Sequence, residues 1–348
     1  MTRTKTLWVR EHFLEQILDG RKTIEVRAGY ENIRRLQAGD RLRLNGRHVA
    51  EIVRVAHYAD FEALVDAEDA GAIAPDLGAV AQPDELLDAL RSLYPPEKEA
   101  LGAVALEVRP RRYDAVLFDM GYTLVYFDPP VPVIGSEALR AVGVERTPEE
   151  VQAAMDAVWA PFWAESDRTT FAATKAQDAE MEAQMTRAVL QALDVDTDDG
   201  TVAAFRKAQE TWYSRPGVIR PYPEVREVLS ALGEAEYRLG IVSNWSWNLR
   251  DRVAQAGLDD YFELVWASAY AGCNKPHPLI FQQALDQMEL DGWRTLYVGD
   301  SYRHDIAGAR AAGIDGVLVV REGDAERYDC PVIRDLGELF ELLNPAGM

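Results

Sequence analysis

Hydrophobic positions follow two different patterns along this chain, and the change falls near Pro110. Beyond it come five short apolar runs: Ala115-Val-Leu-Phe118, Leu239-Gly-Ile-Val242, Glu263-Leu-Val-Trp266, Thr295-Leu-Tyr-Val298 and Gly316-Val-Leu-Val-Val320. Segments with helical spacing separate them, among them 222–232, 249–256 and 278–288. Short buried strands alternating with helices predict an α/β fold with a parallel, doubly wound sheet. Between the first and second runs, residues 129–215 are helix-forming and rich in Ala, Glu and Gln, which predicts a helical cap inserted into the sheet domain.

Before the change the spacing is that of a smaller, mostly β unit. A helix is expected over 11–18, stopped by Gly20, with strands over 23–27, 41–44 and 49–56. Acidic stretches at 61–70 and 84–93 read as helices inserted into a small barrel. The segment Glu107-Val-Arg-Pro-Arg-Arg112 marks the boundary, because a proline cannot donate to a sheet ladder and suits a strand end or linker. The expected division is 1–111 for the small unit and 112–348 for the larger one. No internal repeat or low-complexity tract interrupts either.

Charge sharpens this division. Of the 348 residues, 1–112 hold 17 basic and 19 acidic side chains, whereas 113–348 hold 20 and 39. So acidic a second part repels a phosphate backbone, which disfavours general nucleic-acid binding there. Residues 1–60 carry a local excess of four positive charges, so contact with RNA or a nucleotide is expected at this end. There is no apolar run long enough to cross a membrane and no secretory pattern at Met1. Two cysteines, Cys273 and Cys330, suit a reducing compartment, so the expected location is cytoplasmic. The sequence does not indicate an oligomeric state.

The chemistry-bearing residues gather at the carboxyl ends of the apolar runs, where open parallel sheets bind ligands. These are Asp119-Met-Gly121-Tyr-Thr123, Ser243-Asn244, Asn274-Lys275-Pro276 and Gly299-Asp300 followed by Asp305. Carboxylates suit a hard cation such as Mg2+. A lysine, a hydroxyl and a metal supply the positive surroundings that phosphoryl transfer needs around an in-line nucleophile.

In order and context these segments resemble the four motifs of the haloacid dehalogenase superfamily, over roughly residues 113–323. The resemblance implies an Asp119 nucleophile, with Ser243 holding a phosphate oxygen and Lys275 neutralising the phosphate and steadying Asp119. It also implies Mg2+ held by Asp119, the Gly121 carbonyl and Asp300 with support from Asp305, and a C1-type helical cap. Thr123 and Asn244, within the same motifs, are expected at the substrate. The activity implied is that of a phosphatase acting on a small phosphorylated metabolite or nucleotide through an aspartyl phosphate.

One departure affects the chemistry. Phosphatases of the superfamily carry an acid/base aspartate two residues after the nucleophile, and here that position is Gly121. A positioned acid contributes about 10²- to 10⁴-fold. Its replacement by Tyr122, His277, His304 or a cap carboxylate, a substrate with a good leaving group such as an acyl or aryl phosphate, and a different chemistry all remain open. Phosphonate-cleaving relatives use a cap lysine instead, and Lys175 and Lys207 are the lysines of the insertion. A further alternative is an RNA- or nucleotide-binding protein with a weakly catalytic second domain. Trp159, Phe162 and Trp163 fall at helical spacing and are expected in the cap core. Trp245 and Trp247 either line the substrate mouth or pack against the cap.

In the first unit, Gly20-Arg-Lys22-Thr-Ile-Glu25-Val-Arg27 places a lysine, a carboxylate and an arginine close together. This matches the GxKxxExR signature of ASCH domains, which share the PUA-like barrel, and the wider resemblance runs from about Leu7 to Val108. It implies a cleft that binds RNA or a nucleotide, with Lys22, Glu25 and Arg27 lining it. Arg27 is expected on phosphate and Glu25 on a base amine.

Overall fold

Side-chain alternation decides how the first unit is built. The computed structural model describes residues 3–46, 48–77, 83–164, 168–323 and 328–343, and the chain divides into two compact units, Met1–Asp114 and Ala115–Met348. The first holds β1 (Thr4–Leu7), β2 (Ile24–Ala28), β3 (Arg41–Leu44), β4 (His48–Tyr58) and β5 (Ala103–Pro110) in the order β1-β3-β4-β5-β2. Only β1 and β3 run parallel; the other pairs are antiparallel. Pro110 is the last residue of β5, where a missing N–H does least harm.

Along β5, Val104, Leu106 and Val108 point to one face, where Leu14 and Ile17 of the helix Glu11–Leu18 join their cluster. Ala103 and Ala105 point to the other, against Phe61, Leu64, Leu86 and Leu90. Both faces are therefore covered by apolar side chains. A register shift between Ile52 and Arg54 interrupts the long β4–β5 ladder, and such irregularities bend strands. The result is a curled sheet, a half-barrel.

The second unit carries a six-stranded parallel sheet. Its strands are β6 (Ala115–Phe118), β9 (Arg238–Ser243), β10 (Leu264–Ala267), β11 (Thr295–Gly299), β12 (Asp315–Val319) and β13 (Val332–Ile333), while β7 (Val125–Phe127) and β8 (Ile219–Pro221) form a separate antiparallel ribbon. The order β10-β9-β6-β11-β12-β13 places the first strand in the middle, so the chain reverses direction across the sheet between β6 and β11. That reversal opens a crevice at the carboxyl ends of the two strands. Strands β6 and β11 are almost wholly buried, which explains their continuous apolar runs. Strand β13, two residues long, has no periodicity that sequence could reveal.

Four helices, Val131–Ala141, Pro148–Ala164, Lys175–Ala192 and Asp199–Tyr213, lie between β7 and β8. Their core is made of Leu139, Val151, Met155, Leu190, Val202 and Phe205 with their neighbours. The aromatic trio expected in that core is outside it. Trp159 is exposed, Phe162 and Trp163 are half-buried, and Trp163 packs on His304 of the sheet domain with ring centroids 5.2 Å apart. Helical spacing identified the face they share, but that face is turned away from the other three helices.

Candidate active site

Asp119 directly follows β6, and its backbone N–H bonds Val298 on β11, so it stands at the reversal crevice. Its Oδ1 accepts from the Ser243 hydroxyl at 2.8 Å and from the Lys275 ammonium at 2.6 Å. Lys275 also donates to Asp305 Oδ1 at 2.6 Å and to the Tyr297 hydroxyl at 3.0 Å, which occupies its three donors. The second Asp305 oxygen accepts the Ser301 N–H at 2.8 Å. Two distant stretches of sequence, at Asp119 and at Tyr297–Asp305, thus converge on one buried lysine, and Ser243 joins them through Asp119.

Burial opposes the charge on Lys275, but Asp119 and Asp305 outweigh it and hold the ammonium above its ordinary pKa. For Asp119, burial raises the carboxyl and Lys275 draws it back. Asp300 keeps one side open to solvent, yet the protein around it strips much of its hydration. That desolvation, followed by the charges of Asp119 and Asp305, pushes its carboxyl up to about 8. Three carboxylates crowding one lysine is an arrangement that a cation relieves. Oxygens of Asp119, Asp300 and Asp305 lie within 4.8 Å of one another, and an all-oxygen set of this kind fits Mg2+.

The remaining sequence expectations fall in different places. Both amide groups of Asn244 engage the backbone of Lys275, its Oδ1 accepting from N–H at 2.7 Å and its Nδ2 donating to the carbonyl at 3.0 Å. It clamps the lysine loop. Thr123 is fully buried, its Oγ1 without a hydrogen-bond partner among the described residues, while its carbonyl accepts from Arg321. Gly121 is half-buried beside Trp245. His277 caps the helix Pro278–Met288 through the Leu279 N–H. His304 bonds Ser301, and burial, then Lys275 and Arg303, lower its imidazole to about 4, so it is neutral at pH 7. From the cap, Asp178 accepts the Trp247 N–H at 2.8 Å. Lys175 and Lys207 are both exposed, without the desolvation that a Schiff-base lysine requires.

Two participants escaped the sequence reading. Tyr297 bridges Lys275 and the Val242 carbonyl, and a tyrosine inside an otherwise apolar buried strand was the available signal, since a buried hydroxyl needs a partner. Gly299 makes room for Asp305, as a Cβ there would lie 2.3 Å from the carboxyl carbon.

In the first unit, Lys22, Glu25 and Arg27 line a cavity of about 450 Å³ together with Trp8, His12, Asp76 and Tyr94. Lys22 is buried and donates to the carbonyls of Ile24 and Ile73 at 2.7 and 2.6 Å. Glu25 sits 3.3 Å from Lys22 and 2.8 Å from Arg27. Burial lowers the Lys22 ammonium below its ordinary pKa, and Glu25 opposes this. Strand alternation puts Glu25 and Arg27 on one face of β2, and the Arg27 Nε is buried without a partner among the described residues.

A parallel sheet with its first strand central, an aspartate at that strand's end and a lysine–carboxylate cluster around it define a phosphoryl- or acyl-transfer type of hydrolase core. The chain belongs to the haloacid dehalogenase-like hydrolases, whose family model matches residues 113–313, more than half its length. Residues 7–112 match the ASCH domain. Glyceraldehyde 3-phosphate phosphatase of Methanothermobacter thermautotrophicus is 33% identical over 138 residues, covering 36% of this chain and 60% of that protein. Phosphoglycolate phosphatase of Neisseria meningitidis is 34% identical over 136 residues, covering 36% and 57%. Both alignments span less than two thirds of the relative's length. The magnesium-bound HAD-hydrolase YfnB of Bacillus subtilis superposes with a TM-score of 0.55 at 21% identity, over 67% of this chain and 99% of that one, a likeness of fold.

Proposed function

We propose that this protein is a magnesium-dependent phosphatase that removes phosphate from a small metabolite or nucleotide through an aspartyl phosphate on Asp119. The observation that carries the reading is the single Lys275 ammonium held 2.6 Å from both Asp119 and Asp305 at the sheet's reversal point. Such a lysine fixes the nucleophile's orientation and faces the negative charge of an incoming phosphoryl group. Ser243, already on Asp119, is placed to donate to a phosphate oxygen. Asp119, Asp300 and the Gly121 carbonyl would hold Mg2+, buttressed by Asp305. When bound, the ion would neutralise phosphoryl charge. The phosphatase names of the two relatives agree with this reading.

The division of labour follows the sequence boundaries, with 1–111 as a ligand-binding unit, 112–348 as the hydrolase and 129–215 as the cap that sets substrate choice and excludes water. The cavity around Lys22, Glu25 and Arg27 is of small-ligand size, and its mixed charges suit the base and phosphate of a nucleotide or RNA end. Among the described residues, no helix is long and apolar enough to cross a membrane. We place the protein in the cytoplasm.

The test is phosphate release from a panel of phosphorylated metabolites and nucleotides, with and without Mg2+, by wild type and Asp119→Asn. Metal-dependent release lost in the variant is the expected result. Equal release by both would overturn the assignment.

A further inference from the structure

The absence of a side chain at residue 121 leaves a specific surface beside the nucleophile. A Cβ at Gly121 would lie 3.6 Å from the indole of Trp245, and among the described residues, its chain neighbours Met120 and Tyr122 aside, no other atom comes within 4 Å of that point. Among the described residues other than the adjoining Met120 and Tyr122, no carboxylate or imidazole lies within 4 Å of that point. The neighbour is an aromatic ring.

That ring is held in place. The Trp245 indole N–H donates to Asn248 Oδ1 at 3.0 Å, and its backbone N–H donates to Ser268 Oγ at 3.2 Å. With its only polar atom engaged, the indole offers an apolar π-face. It stacks on Phe127 at 6.2 Å and 18° between planes, and Phe127 meets Tyr122 and Tyr213 edge to face at 5.7 and 5.9 Å. Tyr122 is 47% exposed, and the other three rings are only half-buried. A closed core would bury such rings, so their remaining exposure leaves aromatic surface that a ligand can cover.

We propose that the site is built for phosphate monoesters of planar, weakly basic leaving groups, aryl phosphates as a class, with the leaving ring lying against Trp245. The inference rests on the phosphatase reading and names its substrate class. A leaving oxygen that is stable as an anion needs no proton as it departs, which is the chemistry a glycine at 121 permits. An Asp119 carboxylate oxygen forms the new P–O bond while the P–O(aryl) bond breaks, and the bonding pair departs on the aryloxide, which solvent then protonates. Water next attacks phosphorus of the aspartyl phosphate and the P–O(Asp119) bond breaks, its pair returning to the carboxylate. The water proton passes to solvent, and hydrogen phosphate is released.

The experiment measures kcat/KM of the full chain with Mg2+ on para-nitrophenyl, phenyl and glycerol phosphates, for wild type, Gly121→Asp, Trp245→Leu and Asp119→Asn. Wild type is expected to favour both aryl esters over glycerol phosphate by about 10²-fold or more, the contribution of the missing acid. Gly121→Asp, whose new Cβ meets only an ordinary contact, should narrow that ratio at least about tenfold by gaining on glycerol phosphate. Trp245→Leu should raise KM for phenyl phosphate roughly 2- to 10-fold, and more than for glycerol phosphate. Comparable wild-type rates on all three esters, abolished by Asp119→Asn, would leave the phosphatase standing and sink the leaving-group inference. Activity that survives Asp119→Asn, or no release from any ester, would overturn the underlying reading and the inference with it. The wild-type ratio decides the matter even where a variant does not fold.

Discussion

Gly299 and Asp305 compete for the same space: a Cβ on the first would lie 2.3 Å from the carboxyl carbon of the second. Strand β11 can end where it does, with Asp305 folded back over it in a π-helical turn spanning Tyr302–Ala307, only because residue 299 has no side chain. Rare π-turns of this kind concentrate at functional sites. Gly299→Ala should therefore push Asp305 off Lys275 and Ser301 while leaving the sheet intact. We expect activity to fall at least about 10²-fold, the cost typical of a misplacement of about 1 Å in an active site, with far-ultraviolet circular dichroism unchanged. Wild-type turnover in this variant would show that Asp305 has no part in the site.

Lys275→Met removes the ammonium that bonds both buried carboxylates, Asp119 and Asp305. Breaking a buried pair from one side costs about 3–5 kcal/mol, because an uncompensated charge stays behind. The variant should be inactive, and its metal-free form should melt well below wild type. Mg2+ should restore part of that loss by taking over the charge. Calorimetry with and without MgCl2 measures both effects, and an unaltered melting temperature would contradict the pairing.

Asp300 makes the response to metal depend on pH. Its folded-state pKa of about 8 lies above the unfolded value of 3.8, so the metal-free fold binds its proton more tightly than the unfolded chain does. The contribution of this group to stability is full below pH 3.8 and is lost as pH rises through about 8. The proposed Mg2+ would bind the ionised form, so the rise in melting temperature on adding MgCl2 should grow between pH 6 and 8.5 and then level off. Asp300→Asn should remove most of that slope. A shift independent of pH in wild type would disprove the crowding.

His304 gives a second pH signature of opposite sense. Held near 4 when folded and near 6.5 when unfolded, it lets the unfolded chain take up the extra proton. Its contribution is present above pH 6.5 and lost as pH falls toward 4. His304→Gln should flatten the decline of denaturant stability over that window, and an unchanged decline would assign it to other groups.

In the first unit, Lys22→Met should leave the Ile24 and Ile73 carbonyls without their ammonium donor and Glu25 with one cation fewer. Each buried acceptor left unpaired costs about 1–3 kcal/mol. Unfolding of residues 1–114, followed through the exposed Trp8, should occur at lower denaturant concentration. No change in that midpoint would mean that the lysine is not structural.

Periodicity alone revealed five of the six parallel strands, the helical insertion and the helix Glu11–Leu18, because each buries a face or a whole run of apolar residues that local spacing records. That Asp119, Ser243 and Asp300 lie along one edge was also legible, since parallel strands deliver their terminal residues there, whereas Lys275 and Asp305 reach it from segments beyond the strand ends. What spacing could not supply was distance between segments. Only the tertiary structure decided that Tyr297 supports Lys275, that Asn244 clamps the lysine loop, that Trp163 leaves the cap core for His304, and that Trp245 lies beside Gly121. Each of these joins residues tens of positions apart or more, through contacts set by how elements pack. A sequence determines which faces must be buried; which side chains then meet is settled by the packing itself.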